Sequence, residues 1–260
     1  MRTRIDKARE SYFKRDLEST KKAHDPDSIH ESISHKEGHV TSFNLPEIIL
    51  GGQDGLVNVL GVILGVAAAT SDTRLVVIAG MAATFAESIS MAAVAFTSKL
   101  AEADYYQSEY EREKWEIEHV PAGEKEEIKA LYKHYGFSGK ILDDIVEKIT
   151  SNNDTWLKVM MEQELKLTPV DRKEAVPAAV IVGVAAIIGS FIPLTPFFLF
   201  DIKSAILVSL IISSLTLFIV GYYKAQKTLG RKFIRSGIEM LVIGMVSALV
   251  GYFVGSLFKI

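Results

Sequence analysis

Between residues 99 and 174 acidic side chains recur at helical spacing. Glu109, Glu113 and Glu116 fall on one face at i, i+4 and i+7. Glu124 and Glu127 make a second pair at i, i+3, and Met160, Met161 and Glu164 offer a third set. Like charges so placed repel each other, and a solvated helix face is the ordinary reading of any one pair, because glutamate is a good helix former. Three helices each offering such a set weaken that reading and bring in a shared cation as the other. Carboxylates facing each other across helices hold iron or manganese in helical bundles. Thioethers added to that set favour a transition metal over calcium or magnesium. The run "EIEH" places Glu116 and His119 at the ExxH spacing of di-iron bundles, but only one such motif occurs where those sites use two.

A second set lies in apolar sequence. Asp54 falls in "LGGQDGLVNVLGVILG" with no basic residue nearby, and Glu87 lies near the middle of the next apolar run. An ionised side chain at mid-bilayer costs roughly 2.5–3.5 kcal/mol on insertion scales, so such residues face a bundle interior or a pathway. A headgroup position is the alternative for Asp54, about eight residues into its run. Met91 follows Glu87 by four residues and points the same way; taken alone it reads as ordinary packing. Glu239 reads as interfacial.

These residues need elements to position them. Hydrophobic residues make up 48% of the 260-residue chain, yet 23% of it is charged, so the two must be segregated. The runs 46–70, 75–98, 175–200, 204–223 and 236–258 each approach the roughly 20 residues that cross a bilayer core as a helix. Helices are required, since backbone groups in lipid must bond within their own segment. Lys and Arg concentrate in the N-terminal segment, in 99–174 and in "KAQKTLGRKFIR" at 224–235. The positive-inside rule then puts these three in the cytosol.

The expected organisation is an all-α, polytopic membrane protein. It has a cytosolic N-terminal helix and tether over 1–42, two transmembrane helices over 43–98, a cytosolic helical metal-binding insert over 99–174 and three more spans over 175–260. Residues 5–22 predict a short helix stopped at Asp25-Pro26. In the insert, a long helix continues from the second span to about Val120, Pro121 opens the next, "GFSGK" turns, and "SNND" caps "TWLKVMMEQELKL".

Gly61 with Gly65, and Gly251 with Gly255, form GxxxG-type faces, and the first pair suggests a dimer seam beside Asp54. His24, His30, His35 and His39 fall in the tail, where nothing fixes a ligand geometry. A net charge of −3 implies no nucleic-acid partner, and the absence of cysteine excludes disulfides, zinc–cysteine sites and iron–sulfur clusters. The polar first 40 residues give no sign of a secretory signal.

"DGLVNVLGVILGVAAA" at 54–69, "SMA" at 90–92, the acidic insert and the ending "RSGIEMLVIGMVSALVGYFVG" together resemble the vacuolar iron transporter family over about 42–260. The resemblance implies a homodimer of five-span subunits that exchanges cytosolic Fe²⁺ for protons. It places the pathway aspartate on Asp54 and the second-span methionine on Met91. It places metal-binding glutamates on Glu113, Glu116, Glu124, Glu127 and Glu164, with the methionine pair on Met160 and Met161. Glu109 is not required by that pattern. Family members usually continue "SMA" with a glycine–glutamate–aromatic run; here Val94, Ala95 and Phe96 stand there, and Glu87 is the nearest replacement.

The expected activity is therefore proton-coupled export of Fe²⁺, extending to Mn²⁺, Co²⁺ or Zn²⁺, with the metal as substrate, no permanent cofactor and no enzymatic step. A prokaryotic cell membrane fits, as does a vacuolar membrane in a eukaryote. The alternatives are a membrane-anchored, ferritin-like module that binds or oxidises iron and a metal sensor that transports nothing.

Overall fold

The structure, a computed structural model, describes residues 8, 10–12, 14–26, 45–228 and 232–258. It is helical, with no strand among the described residues. Five helices are long and apolar enough to cross a membrane. The chain divides into two compact units, residues 1–91 with 181–260, and residues 92–180.

The first unit begins with α1 (Leu17–Ala23). The single helix predicted over 5–22 is interrupted: residues 8–14 are helical where described, Arg15 turns at φ +56°, and Asp16 caps a new helix by accepting the Ser19 N–H at 3.1 Å. His30, His35, His39 and the tether over 27–44 lie outside the described residues. Next come α2 (Leu45–Ala69) and α3 (Thr73–His119), the latter belonging to this unit as far as Met91. Then follow α7 (Ala175–Leu194), shared in the same way, α8 (Pro196–Leu199), α9 (Ile202–Thr228) and α10 (Phe233–Leu257). A 25-residue helix such as α2 reaches about 37 Å, enough to cross a hydrocarbon core of about 30 Å. The run expected as one span over 175–200 breaks after Leu194. Pro193 and Pro196 both lack an amide hydrogen, and the buried Ser209 hydroxyl donates to the Pro193 carbonyl at 2.7 Å.

Helix α2 is the centre of this unit. Val59, Leu60, Ile63 and Leu64 form a buried cluster with Val76 of α3, Leu194, Phe197, Ala205 of α9 and Ala248 of α10. Its glycines let neighbouring backbones come close. A Cβ on Gly55 would strike the Ala186 carbonyl of α7, and one on Gly251 would strike the Gly61 backbone. A Cβ on Gly255 would likewise collide with Gly65. The two GxxxG pairs thus meet each other within one chain, which corrects the expectation that Gly61 and Gly65 line a seam between two copies.

The second unit holds the rest of α3, then α4 (Pro121–His134), α5 (Gly139–Thr150) and α6 (Asn153–Val159). Pro121 occupies the first turn of α4, and Asn152 caps α6 by accepting the Thr155 N–H at 2.9 Å. Helix α6 passes into a π-helical turn at Met160–Glu164, with a 3₁₀ turn at Arg172–Glu174 beyond it. Ile117, Ile128, Trp156, Leu157, Met160 and Met161 form the buried core, flanked by Tyr106, Tyr110 and Tyr132.

Gly251→Val is expected to cost about 1–3 kcal/mol through overpacking against α2. Gly123→Ala is the control: its Cβ meets nothing within 4 Å, and alanine favours a helix by up to about 1 kcal/mol. Thermal melts of the two proteins in one detergent test this. Equal midpoints would contradict the close approach of α2 and α10.

Candidate metal centre

In the second unit, Glu113 and Glu116 of α3 meet Glu124 of α4. Their ligand oxygens all lie within 4.8 Å of one another. The reversal at Val120-Pro121 folds α4 back so that acidic positions 113, 116 and 124 converge. Glu113 is 1% exposed and Glu124 4% exposed. Each keeps one buried carboxyl oxygen, Oε2, with no hydrogen-bond partner, and so does Glu164. An unpaired buried carboxylate costs several kcal/mol, so the arrangement has the donors of a cation site without the cation's charge.

Glu127 and Glu164 complete the group. Glu127 is exposed, and its charge acts on Glu164. Burial first, and then repulsion from Glu113, Glu127, Glu116 and Glu164, pushes the Glu124 carboxyl up to about 7. The Glu164 carboxyl also rises to about 7, through burial and then the charges of Glu127 and Glu113. Glu113 is raised by burial against the opposing pull of the Arg112 guanidinium. A cation entering this group replaces protons, because carboxylates ligate metal in their ionised form.

Met160 and Met161 are both buried, in the π-helical turn that ends at Glu164. A π turn shifts the residues after it relative to a plain α-helix and is frequent at functional sites. The donor classes available in this unit are therefore carboxylate oxygen and thioether sulfur, a mixture suited to divalent transition metals.

Glu109 behaves differently. Its carboxylate accepts from Arg112 Nη2 at 2.8 Å and Nε at 3.1 Å. Arg112 also pairs with Glu113 at 2.6 Å and with Glu116. The guanidinium is held well above its ordinary range, chiefly by the hydrogen bond to Glu109. Sequence reasoning missed Arg112, although its spacing from Glu109 and Glu116, i+3 and i−4, was the available signal. His119 takes no part in the group of three; its ring stacks on Trp115 at 4.3 Å, and its Nδ1 bonds the Trp115 carbonyl at 2.8 Å.

A second constellation lies in the first unit. The Asn58 amide donates to Glu87 Oε2, joining α2 to α3, and the Asp54 carboxyl, one turn before Asn58 on the same face, interacts electrostatically with Glu87. Met91 follows Glu87 one turn later and is half-buried. Asn58 was not singled out from sequence, though it lies four residues after Asp54 and therefore on the same face. Ala95, where the resemblance expects a glutamate, is a buried alanine.

A family model described as the VIT family matches residues 45–256. The chain belongs to the VIT family. Curated relatives include the vacuolar iron transporter of Plasmodium falciparum, 32% identical over 97% of this chain and 95% of its own length. Vacuolar iron transporter 1 of Oryza sativa subsp. japonica is 32% identical over 88% of this chain and 91% of its own length. Vacuolar iron transporter 1 of Arabidopsis thaliana is 33% identical over 84% and 88%. The VIT match spans both constellations, from α2 through the acidic unit to α10.

The raised carboxyls fix the sign of a pH effect on this VIT-family chain. Glu124 and Glu164 lie near 7 when folded against an ordinary value of 4.5, so folding takes up protons between those limits. Their contribution to stability is complete below about 4.5 and disappears as pH rises through about 7. Metal-free protein is therefore expected to melt higher at about pH 5.5 than at about pH 8, with added Mn²⁺ narrowing the gap. A scanning-fluorimetry series checks this, and a melting point that rises over the same interval would contradict it.

Proposed function

We propose that this chain is a proton-coupled antiporter that carries Fe²⁺ out of the cytosol. The observation that carries the reading is the Asn58 amide bond to Glu87, which ties α2 to α3 of a VIT-family chain with the Asp54 carboxyl one turn away on the same face. Two ligands competing for one carboxyl pair give exchange: a proton leaves when a metal ion binds, and returns when the ion departs. Iron as cargo is supported by the curated relatives, whose names are those of iron transporters.

The acidic unit supplies the capture step. Glu113, Glu116, Glu124, Glu127 and Glu164 collect the ion on carboxylates, and Met160 and Met161 add thioethers that bias the site against Mg²⁺. The carboxylates also admit Mn²⁺, and the mixed oxygen–sulfur set admits Co²⁺ and Zn²⁺, so these belong to the proposed substrate range. The unit faces the cytosol, following the Lys and Arg of its flanks. Met91 supplies the thioether of the membrane site, and Glu87 serves in place of the carboxylate that the resemblance expects at Ala95. The working unit is a homodimer.

Proteoliposome assays test the reading. Asp54→Asn and Glu87→Gln should each lower Fe²⁺-dependent proton movement at least about tenfold, the effect of losing about 1.4 kcal/mol of ligand binding. Asn58→Leu leaves both carboxyls but unties Glu87 from α2, and should give a smaller loss that Asn58→Gln partly restores. Full exchange activity in Asp54→Asn would sink the assignment of the pair.

A further inference from the structure

Arg112 is a cation already placed among the carboxylates. Its Nη2 reaches Glu113 at 2.6 Å and Glu109 at 2.8 Å, and its Nη1 pairs with Glu116. Glu113 and Glu116 belong to the group whose oxygens converge within 4.8 Å, so the guanidinium pairs with two of the three carboxylates a metal would use. Glu109 does not belong to that group, yet it holds Arg112 twice, through Nε and Nη2. Nη2 is shared with Glu113, but Nε engages Glu109 alone, so a contact to Glu109 persists when the guanidinium leaves the metal donors. The Oε2 atoms of Glu113, Glu124 and Glu164 are buried and unpartnered, so Arg112 satisfies the unit's carboxylates only in part.

A dication entering such a group meets a positive charge one side chain away. Either the guanidinium releases Glu113 and Glu116, or the ion binds against its repulsion; both lower the affinity. Arg112 itself is exposed, so its guanidinium can turn toward water once an incoming ion takes over the charge of the buried Glu113. The charge that weakens binding also restrains repulsion among the glutamates while the site is empty. For a site that must pass its ion on, weaker retention means faster release.

We propose that Arg112 is a resident counter-cation of the metal site, displaced from Glu113 and Glu116 by the incoming ion and retained on Glu109, which acts as its anchor and not as a metal ligand. This rests on the reading of the acidic unit as a metal site. Arg112 is a positioning residue that sets affinity and release.

The test is Co²⁺ binding by calorimetry to the full-length protein in detergent, with chelator-chase release rates and melting points. Arg112→Met should bind Co²⁺ on the order of tenfold more tightly, the water-screened Coulomb effect of one unit charge on a dication at side-chain distance. It should release Co²⁺ correspondingly more slowly. Its metal-free melting point should fall while the metal-induced rise grows. Arg112→Lys keeps the charge and should bind more like the unaltered protein than like Arg112→Met. Glu109→Gln, which leaves the converging carboxylates intact, should weaken binding by itself and have no effect in the Arg112→Met background; Arg112→Gln, also neutral, replaces Arg112→Met in every arm should that variant fail to fold.

Unchanged or weaker Co²⁺ binding by folded Arg112→Met overturns the proposal, as does a Glu109→Gln effect that persists without Arg112. If the unaltered protein binds no Co²⁺, the reading of the acidic unit as a metal site falls with it. Binding by the unaltered protein leaves that reading standing whichever way the variants behave.

Discussion

Carboxylates buried without enough positive charge are the constraint around which the second unit is organised. Glu113 and Glu124 lie inside the unit with one oxygen each out of reach of a donor, and Glu164 shares the condition. Left ionised, such groups would oppose folding by several kcal/mol. The unit limits the cost in two visible ways. Arg112 is drawn onto three carboxylates at once, and Glu124 and Glu164 have their titration moved up to about 7, where protons are available. Aromatic and aliphatic packing from Trp156, Leu157, Ile117 and Ile128 supplies the opposing stabilisation. A site of this kind trades stability for ligand affinity, and its unsatisfied oxygens are the places where an ion gains most.

The membrane helices solve a different problem with different residues. No hydrophobic effect drives helix against helix in lipid, so contact must come from close van der Waals packing. Helix α2 achieves this with glycine on two faces, toward α7 at Gly51 and Gly55 and toward α10 at Gly61 and Gly65. That leaves a polar face, with Asp54 and Asn58, directed to Glu87 of α3. One helix therefore serves both as the packing centre of its unit and as the carrier of its charged group. The neutral amide of Asn58 matters here because it orients a carboxylate without adding charge to the membrane interior.

Much of this was legible from spacing. Helical periodicity put Glu109, Glu113 and Glu116 on one face and paired Glu124 with Glu127, since residues three or four apart share a face whatever the tertiary context. The apolar runs gave five spans, because a bilayer of fixed thickness demands helices of fixed minimum length. Where the reading failed, the cause was competition between local and long-range contacts. Residues 5–22 break at Arg15 because Asp16 makes a better cap than a helix interior residue. The span expected over 175–200 ends at Leu194 because two prolines remove amide donors there.

The sequence by itself determined the helical class, the five apolar spans, the acidic unit between the second and third of them, and the faces on which its glutamates lie. All of these follow from local periodicity and composition. Only the tertiary structure decided which partners those faces meet. It turned Gly61 and Gly65 onto Gly251 and Gly255 of the same chain, because backbone approach depends on the facing helix as much as on the motif. It tied Asn58 to Glu87, formed a π turn at Met160–Glu164, and linked Glu109 through Arg112 to Glu113 and Glu116 while leaving it out of the converging three. Spacing fixes which way a side chain points along its own helix; what lies opposite depends on how the helices pack.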